Sequence, residues 1–328
     1  MNGELQIHRC EVPPECEGQR LDRFLATRAF LPTRSRGAAL VRHGHVRVDG
    51  ILRKASFNVY AGAQIEVEIP PEEASDVEAE AIPLTVLHED EALIVVDKPP
   101  RMATHPAPGS RRGTLVAALL YRWQFEGKWP DPQRPGIVHR LDKDTTGVIA
   151  VAKTPHAMHA LARQFAAREV EKRYLAVAVG APRARAMEVE LAIGRDPADR
   201  KRMQARSDQA RPAHTRFAVR RDLGDGGAAA LIEAEPLTGR THQIRVHLAS
   251  LGHPIVGDAL YGGGRARTGT DFAARLAIEG FPRQALHAWR LAFRHPLDGR
   301  RIEIEAPLPR DMSDLIDAIS GGAGPVEV

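Results

Sequence analysis

The feature that most limits what this chain can fold into is a run of acid: residues 66–91 hold ten Asp or Glu and no Lys or Arg. Its middle, from Pro70 to Ile82, is rich in Pro, Glu, Ala, Ser and Asp, which cannot bury enough apolar surface to order itself. The segment 70–83 therefore reads as a linker between two bodies. Ahead of it, residues 18–54 carry nine Lys or Arg against Asp22 and Asp49, a net +7. Behind it, residues 92–328 carry about +10, so the overall formal charge of +4 conceals two basic bodies and an acidic strap. Clustered arginine is the electrostatic footprint of a nucleic-acid binder, although a solvated basic face has the same composition. A length of 328 residues suits about two domains.

Several classes fall away. No apolar run approaches the roughly 18 residues a membrane helix needs. The opening MNGELQIHRCEVPPE lacks the apolar core of a secretory signal, so the expected location is the cytoplasm. Two cysteines, Cys10 and Cys16, are too few for a disulfide scaffold or a tetrahedral zinc site. There is no nucleotide-binding glycine loop, no His-Glu-x-x-His and no Gly-x-Ser-x-Gly. His242 and His247 are five apart, off a common helical face, so no metal is expected. The run Gly262-Gly263-Gly264 reads as a mobile loop.

Residues 1–17 read as an extension. From Gly18, Leu21, Phe24 and Leu25 follow helical spacing, and Thr33 is placed to cap a second helix bearing Ala39, Leu40 and Val41. His45 to Gly50 alternates and closes on an Asp-Gly turn, and Gln64 to Ile69 makes another strand. The Gly18-Gln19-Arg20-Leu21-Asp22 opening, Arg34-Ser35-Arg36 at a helix start and the Gly44-x-Val46-x-Val48-Asp49-Gly50 hairpin resemble the S4 RNA-binding domain. That resemblance, over 18–69, implies that Arg34, Arg36, Arg42 and Arg47 face phosphates. Some of them would equally serve to solubilise a helix.

In the second body strands are expected at Ala92–Val96, Gly147–Ala152, Tyr174–Val179, Ala229–Glu235 and Arg301–Ala306. A helix opens on Thr154 as cap and Pro155, with Met158, Leu161, Ala162 and Phe165 on one stripe, and another spans Leu115–Trp123. The fold class is α+β with a mixed, mainly antiparallel sheet. A dense polar stretch, Arg134 to Gly147, stands directly before an apolar strand, where a loop presents carboxylates at a sheet end. From spacing alone it also fits an Asx-type turn with a surface ion pair.

That stretch contains His139-Arg140-Leu141-Asp142-Lys143-Asp144-Thr145-Thr146-Gly147, which resembles the second motif of the RluA family of pseudouridine synthases. Further motifs occur in family order: Glu89 to Pro99, His105-Pro106, Glu171 to Val177, Thr238 to Leu248, Gly252 to Asp258 and Leu286-His287-Ala288. Together they span most of 84–310, within a catalytic domain placed at 84–312 and followed by a C-terminal helix and tail at 313–328. Arg195 to Met203 and Arg283 to Ala288 are similar to the ribosomal large-subunit synthase D subgroup, which implies the helix 69 stem-loop of 23S ribosomal RNA, or a large-subunit precursor, as substrate. Asp97 stands where Asn is common in the family, and a short Gly-rich tail replaces a longer acidic end.

The resemblance implies isomerisation of uridine to pseudouridine by a monomer without a cofactor, since nothing is oxidised or hydrolysed. It implies Asp142 as the catalytic carboxylate, Arg245 as the cation that keeps it ionised, and Tyr174, at a strand start, stacked on the target base and a candidate for helping to remove the C5 proton. Arg140 would fill the space left by the extruded uridine, with His139, Arg202, Arg240 and His242 also binding substrate. Asp144 lies outside the catalytic position. The basic patch Arg195, Arg200, Lys201, Arg202, Arg206, Arg211 and Arg216 is expected to grip RNA backbone or to be a solvated insertion. A non-catalytic RNA-binding or ribosome-assembly factor, and a synthase acting on transfer RNA or another ribosomal site, stay open at this point.

Overall fold

The structure is a computed structural model that describes residues 6–28, 30–31, 34–69, 77–106, 112–126, 136–199, 201–205 and 210–321. It divides into two compact units, Met1–Ser75 and Asp76–Val328.

The first unit runs β1 (Gln6–Glu11), α1 (Leu21–Ala26), α2 (Arg34–Arg42), β2 (Val46–Val48), β3 (Ile51–Leu52) and β4 (Gln64–Ile69). Its antiparallel sheet has the order β1-β4-β2-β3. Leu21, Phe24 and Leu25 are fully buried, as their spacing requires, against Leu40, Val41, Val46, Val48, Ile65 and Val67. Residues 6–11, assigned by sequence to an extension, belong to this sheet, because β1 pairs with β4 along its whole length from Gln6–Ile69 to Glu11–Gln64. The Asp49 carboxylate accepts from the Gln64 amide at 2.8 Å and from the Tyr60 hydroxyl, pinning the Asp49-Gly50 turn. Thr33, the expected cap, lies outside the described residues.

The second unit runs β5 (Thr85–Glu89), β6 (Leu93–Lys98), α3 (Leu115–Glu126), β7 (Thr146–Ala152), α4 (Pro155–Ala167), β8 (Glu171–Val179), β9 (Ala186–Glu190), β10 (Ile193–Arg195) and β11 (Met203–Ala205). It continues with β12 (His214–Leu223), β13 (Ala229–Pro236), α5 (Gln243–Ser250), α6 (Phe272–Gly280), β14 (Leu286–Arg294), β15 (Arg301–Glu305) and α7 (Arg310–Ile319). Among the described residues the main sheet has nine strands in the order β5-β6-β7-β14-β8-β13-β12-β9, with β15 also on β14. Every named pairing is antiparallel except β7 with β14. The architecture is α+β with a mixed, mainly antiparallel sheet.

Strand alternation explains the layers. Leu93 and Val95 point to one face with Val148, Ala150 and α4, whereas Ile94 and Val96 point to the other with Ile149, Val151 and α3. Covered on both faces, β7 is buried at all seven positions and reads as a continuous apolar run. The Thr154 side chain accepts from the Ala157 amide at 3.1 Å, and Pro155 follows at the first helical position. The buried stripe of α4 is Ala157, Ala160, Leu161 and Gln164, which bonds the backbone of Arg294; Ala162, expected in the stripe, is exposed.

Three other expectations shift. The unit boundary falls after Ser75, and residues 77–83 lie on the second unit: the Glu80 amide donates to Ala117 O at 3.1 Å and Ile82 packs beside α3. Helix α7 begins at Arg310, before the expected domain end, and buries Met312, Leu315, Ile316 and Ile319 in the core with β8 and β13. The Gly262–Gly264 run is a tied turn, since the Gly257 amide donates to Gly263 O and the Gly263 amide to Asp258 O, both at 2.9 Å. No described helix is long and apolar enough to cross a membrane.

Candidate active site

The site forms where β7, β14 and β8 come together. Gly147 sits opposite Ala288, and Ala288 opposite Tyr174, so the loop before β7 and the Tyr174 ring meet at one end of the central strands. Gly147 has a φ of 109°, and a Cβ there would lie 2.1 Å from Ala288 O. Only glycine permits this close approach, which brings the loop against β14.

The loop itself is bound at almost every residue. Thr145 N donates to Asp142 O at 3.1 Å, the local turn that spacing allowed. The Thr104 hydroxyl donates to Leu141 O at 3.0 Å and accepts from Leu141 N at 3.3 Å. Arg283 Nη1 donates to Asp144 O at 3.0 Å, and Gln284 donates to the Thr145 hydroxyl at 3.3 Å. Lys98, fully buried, donates its Nζ to Pro99 O, Met102 O and, at 3.1 Å, Lys143 O. A buried backbone so restrained holds the Asp142 side chain in one place.

Lys98 bears a cost that pH reveals. Burial lowers its pKa from 10.5 to about 7, against the opposing pull of Asp144 and Asp142. Between those values the unfolded chain binds a proton that the folded one does not, so this group adds stability as pH rises. Relative to Lys98→Met, the wild type is expected to gain stability between about pH 7 and about pH 9 in denaturant titrations. A difference that is flat or falls across that window contradicts this assignment.

Asp142 faces helix α5. Arg245 Nη1 donates to Asp142 Oδ2 at 3.0 Å, while its Nε and Nη2 hold Asp258 Oδ2 and Oδ1 at 2.7 and 2.9 Å. Burial opposes the guanidinium charge, but the hydrogen bonds and field of Asp258, then of Asp142, raise the Arg245 pKa above its ordinary value. Its charge is therefore permanent, and it donates from one side to Asp142 and from the other to Asp258. His242 places Nε2 3.8 Å from Asp142 Oδ2. Gln243 shapes the approach to α5: its amide accepts from the Thr238 hydroxyl and Arg240 N, and donates to His214 O and the Thr215 hydroxyl.

Asp142, Tyr174, Arg245, His139, Arg140, Arg240 and His242 all line one cavity of about 530 Å³, within the range of ligand pockets. Tyr174 is partly buried and is the fourth residue of its strand rather than the first, because β14 pairs with the preceding Glu171, Lys172 and Arg173. Burial, then the Asp142 charge, raises the phenol pKa above its ordinary value, so the neutral form persists near neutral pH. His139 accepts from the Ala150 amide at 2.9 Å and stacks on Phe165, and burial, then Lys172, lowers its pKa to about 3. Its ring braces the loop as well as lining the cavity. Arg140 is exposed.

The arginines expected to face phosphates are spread over both units. Arg42 and Arg47 are exposed on the first unit; the side chains of Arg34 and Arg36 lie outside the described residues. In the second unit Arg202 is exposed and lies over the Tyr261 ring at 5.6 Å, while Arg240 Nε donates to Pro212 O at 3.1 Å. Arg211 and Arg216 are exposed, Arg216 paired with Glu188, and Arg200 and Arg206 lie outside the described residues. Lys98, Thr104, Gln243, Asp258 and Arg283 were not assigned roles from sequence. Asp258 follows Arg245 by thirteen residues, a spacing that no local pattern connects.

Comparisons with known proteins show the family. Residues 92–250 match the RNA pseudouridylate synthase family, and residues 19–65 match the S4 domain. The chain is 41% identical to "Ribosomal large subunit pseudouridine synthase D" of Xylella fastidiosa, over 94% of this chain and 91% of that protein. It is 42% identical to the protein of the same name from Nitrosomonas europaea, over 94% of this chain and 86% of the other. Among solved structures, human RNA pseudouridylate synthase domain containing 4 superposes with a TM-score of 0.57 at 26% identity, covering 72% of this chain and 92% of that one. A carboxylate held by a buried arginine in a cavity beside a tyrosine, in a sequence so similar over nearly its whole length, places the chain in the RNA pseudouridylate synthase family, as an enzyme that also carries an S4 domain.

Proposed function

We propose that this enzyme converts uridine to pseudouridine in large-subunit ribosomal RNA, in the helix 69 stem-loop, with Asp142 as the acting carboxylate and no cofactor. One observation carries the reading: the Asp142 carboxylate lies 3.0 Å from the buried Arg245 in a cavity that Tyr174 also lines. The reaction breaks the N1–C1′ bond, turns the detached uracil, joins C5 to C1′ and transfers the C5 proton away. Electrons balance without an oxidant or reductant. What the chemistry requires is an anion against an electron-poor anomeric carbon, and Asp142, held in place by the Arg245 guanidinium, supplies it.

The target nucleotide must leave its stack to reach such a cavity, at a cost of a few kcal/mol that is least in a loop. Tyr174 receives the base on its ring, and the exposed Arg140 takes the space it leaves. The ribosomal substrate is supported by the names of the two bacterial relatives, and by exposed arginines on both units.

Pseudouridine mapping of ribosomal RNA from a strain lacking this gene is expected to show loss at helix 69 positions, restored by the wild-type gene. Loss confined to other ribosomal positions or to transfer RNA contradicts the proposed target.

A further inference from the structure

Tyr261 is almost fully buried and touches the site only through other residues. Its hydroxyl lies 2.9 Å from the Met203 amide nitrogen, in strand β11, and 2.9 Å from His242 Nδ1. Its ring packs between the guanidinium of Arg245, 5.0 Å from the centroid, and that of Arg202, at 5.6 Å. The His242 ring meets it edge-on, with centroids 5.7 Å apart. His242 itself is a non-glycine residue in the left-handed region, with a φ of 56°, at the start of α5. A residue stays in that region only when its surroundings over-determine it.

A phenol has one hydrogen to give. The Met203 amide can only donate, so the Tyr261 oxygen accepts there, and its own hydrogen has His242 Nδ1 as its acceptor. Were Nδ1 protonated instead, the oxygen would accept twice and its hydrogen would have no named partner. The opposite face of the ring gives the same answer independently. Nε2 lies 3.8 Å from the Asp142 carboxylate, an acceptor only, and a bare nitrogen lone pair at that separation would be repelled by it.

We infer that Tyr261 is a positioning residue that locks His242 as the Nε2–H tautomer, so that the imidazole presents a second donor to Asp142 beside Arg245. The inference rests on the reading of Asp142 as the acting carboxylate. The groups facing His242 are Tyr261, Asp142, Arg245, Asp258 and Arg140; burial outweighs the two carboxylates and lowers the imidazole pKa, so the ring is neutral. Through Met203 the same hydroxyl ties the β10–β11 hairpin, which carries Arg195 and flanks Arg202, to the site. Seating of that hairpin and orientation of the carboxylate are thereby one arrangement.

Imidazole nitrogen-15 shifts of the full-length protein, with His242→Gln used for assignment, read the tautomer directly. Expected is an unprotonated Nδ1 and a protonated Nε2; a protonated Nδ1 overturns the inference. Tyr261→Phe keeps the ring between the two arginines and removes only the hydroxyl. Its single-turnover rate is expected to fall about tenfold. The loss should grow as pH rises through the imidazole pKa, which burial holds below the ordinary 6.5, since the freed ring there loses its fixed proton, whereas a purely structural defect scales the whole profile. In a His242→Gln background the same substitution should have a much smaller effect, limited to the lost Met203 contact. An equal loss in that background, or an unchanged rate in Tyr261→Phe, overturns it. Should Tyr261→Phe fold poorly, the shifts of the wild type decide alone. Should Asp142→Asn prove active while the tautomer is as stated, the carboxylate assignment fails and the lock stands.

Discussion

Arg245→Met is expected to lower folding stability by about 3–5 kcal/mol and to abolish turnover. The reason lies less in the bond it loses to Asp142 than in the charge it strands. The Asp258 side chain is 0% exposed, and both its oxygens are held by Arg245; the Leu260 amide, 3.2 Å from Oδ1, is a weak remaining partner. An uncompensated buried carboxylate is among the largest single-site penalties. Arg245→Lys should recover only part of the stability, since one ammonium cannot make the paired contact with Asp258 and also reach Asp142. Arg245→Met combined with Asp258→Leu should regain most of the stability and none of the activity. Urea titrations beside a turnover assay separate the two effects; full activity in that double variant would show that Arg245 does not serve Asp142.

Asp142→Asn is expected to reduce turnover by roughly four orders of magnitude or more, with RNA binding and folding near those of the wild type. The amide preserves shape and still accepts from Arg245, but it is neither an anion nor a nucleophile. With a side chain about 18% exposed, Asp142 can lose its charge without stranding a fully buried partner, because Arg245 retains Asp258. Asp144→Asn should be much milder. The Asp144 Oδ1 accepts from the Arg101 amide, 3.1 Å away, and Asp144 is absent from the residues lining the cavity. Single-turnover rates with saturating RNA, paired with filter-binding affinities, check both; comparable losses in the two variants would contradict the assignment.

How much of this was visible in the sequence depended on whether a feature is local. Alternation and helical spacing located β4, β7, β13, β15 and α4 to within a residue or two, since each is set by its own apolar pattern. Strand β12 was not read, although Thr215 and Phe217 alternate inward against Arg216. Its exposed arginines drew it into a basic patch instead. The stretch Arg134 to Gly147 stood out as a polar loop before an apolar strand, but spacing alone favoured a surface turn, and a turn is there in Thr145 N to Asp142 O. Family resemblance, not periodicity, singled out Asp142.

The remaining parts of the site are products of tertiary folding. Arg245 reaches Asp142 across 103 residues of sequence, and Lys98 reaches the backbone of Lys143 across 45. Neither pairing leaves a local trace. A fully buried lysine within an apolar strand end, or an aspartate following the apolar Ile255-Val256, is unusual in composition, yet nothing in the chain says which distant group satisfies it. His139 and Tyr174 show the converse. Both were legible as site residues, but the bond from Ala150 that gives His139 a bracing role, and the burial that keeps Tyr174 a neutral phenol, belong to the folded environment.

The central claim, that Asp142 carries out a cofactor-free isomerisation of uridine, can be measured in one reaction. A helix 69 transcript whose uridines carry tritium at C5 loses label to water only when C5 bonds to C1′ and gives up its hydrogen. Protein dialysed against chelator and supplied with nothing but buffer and this RNA is predicted to release tritium as pseudouridine appears, while Asp142→Asn, bound to the same RNA, releases none above background. Equal release by wild type and Asp142→Asn, or release by the wild type only after a cofactor is added, would contradict the account.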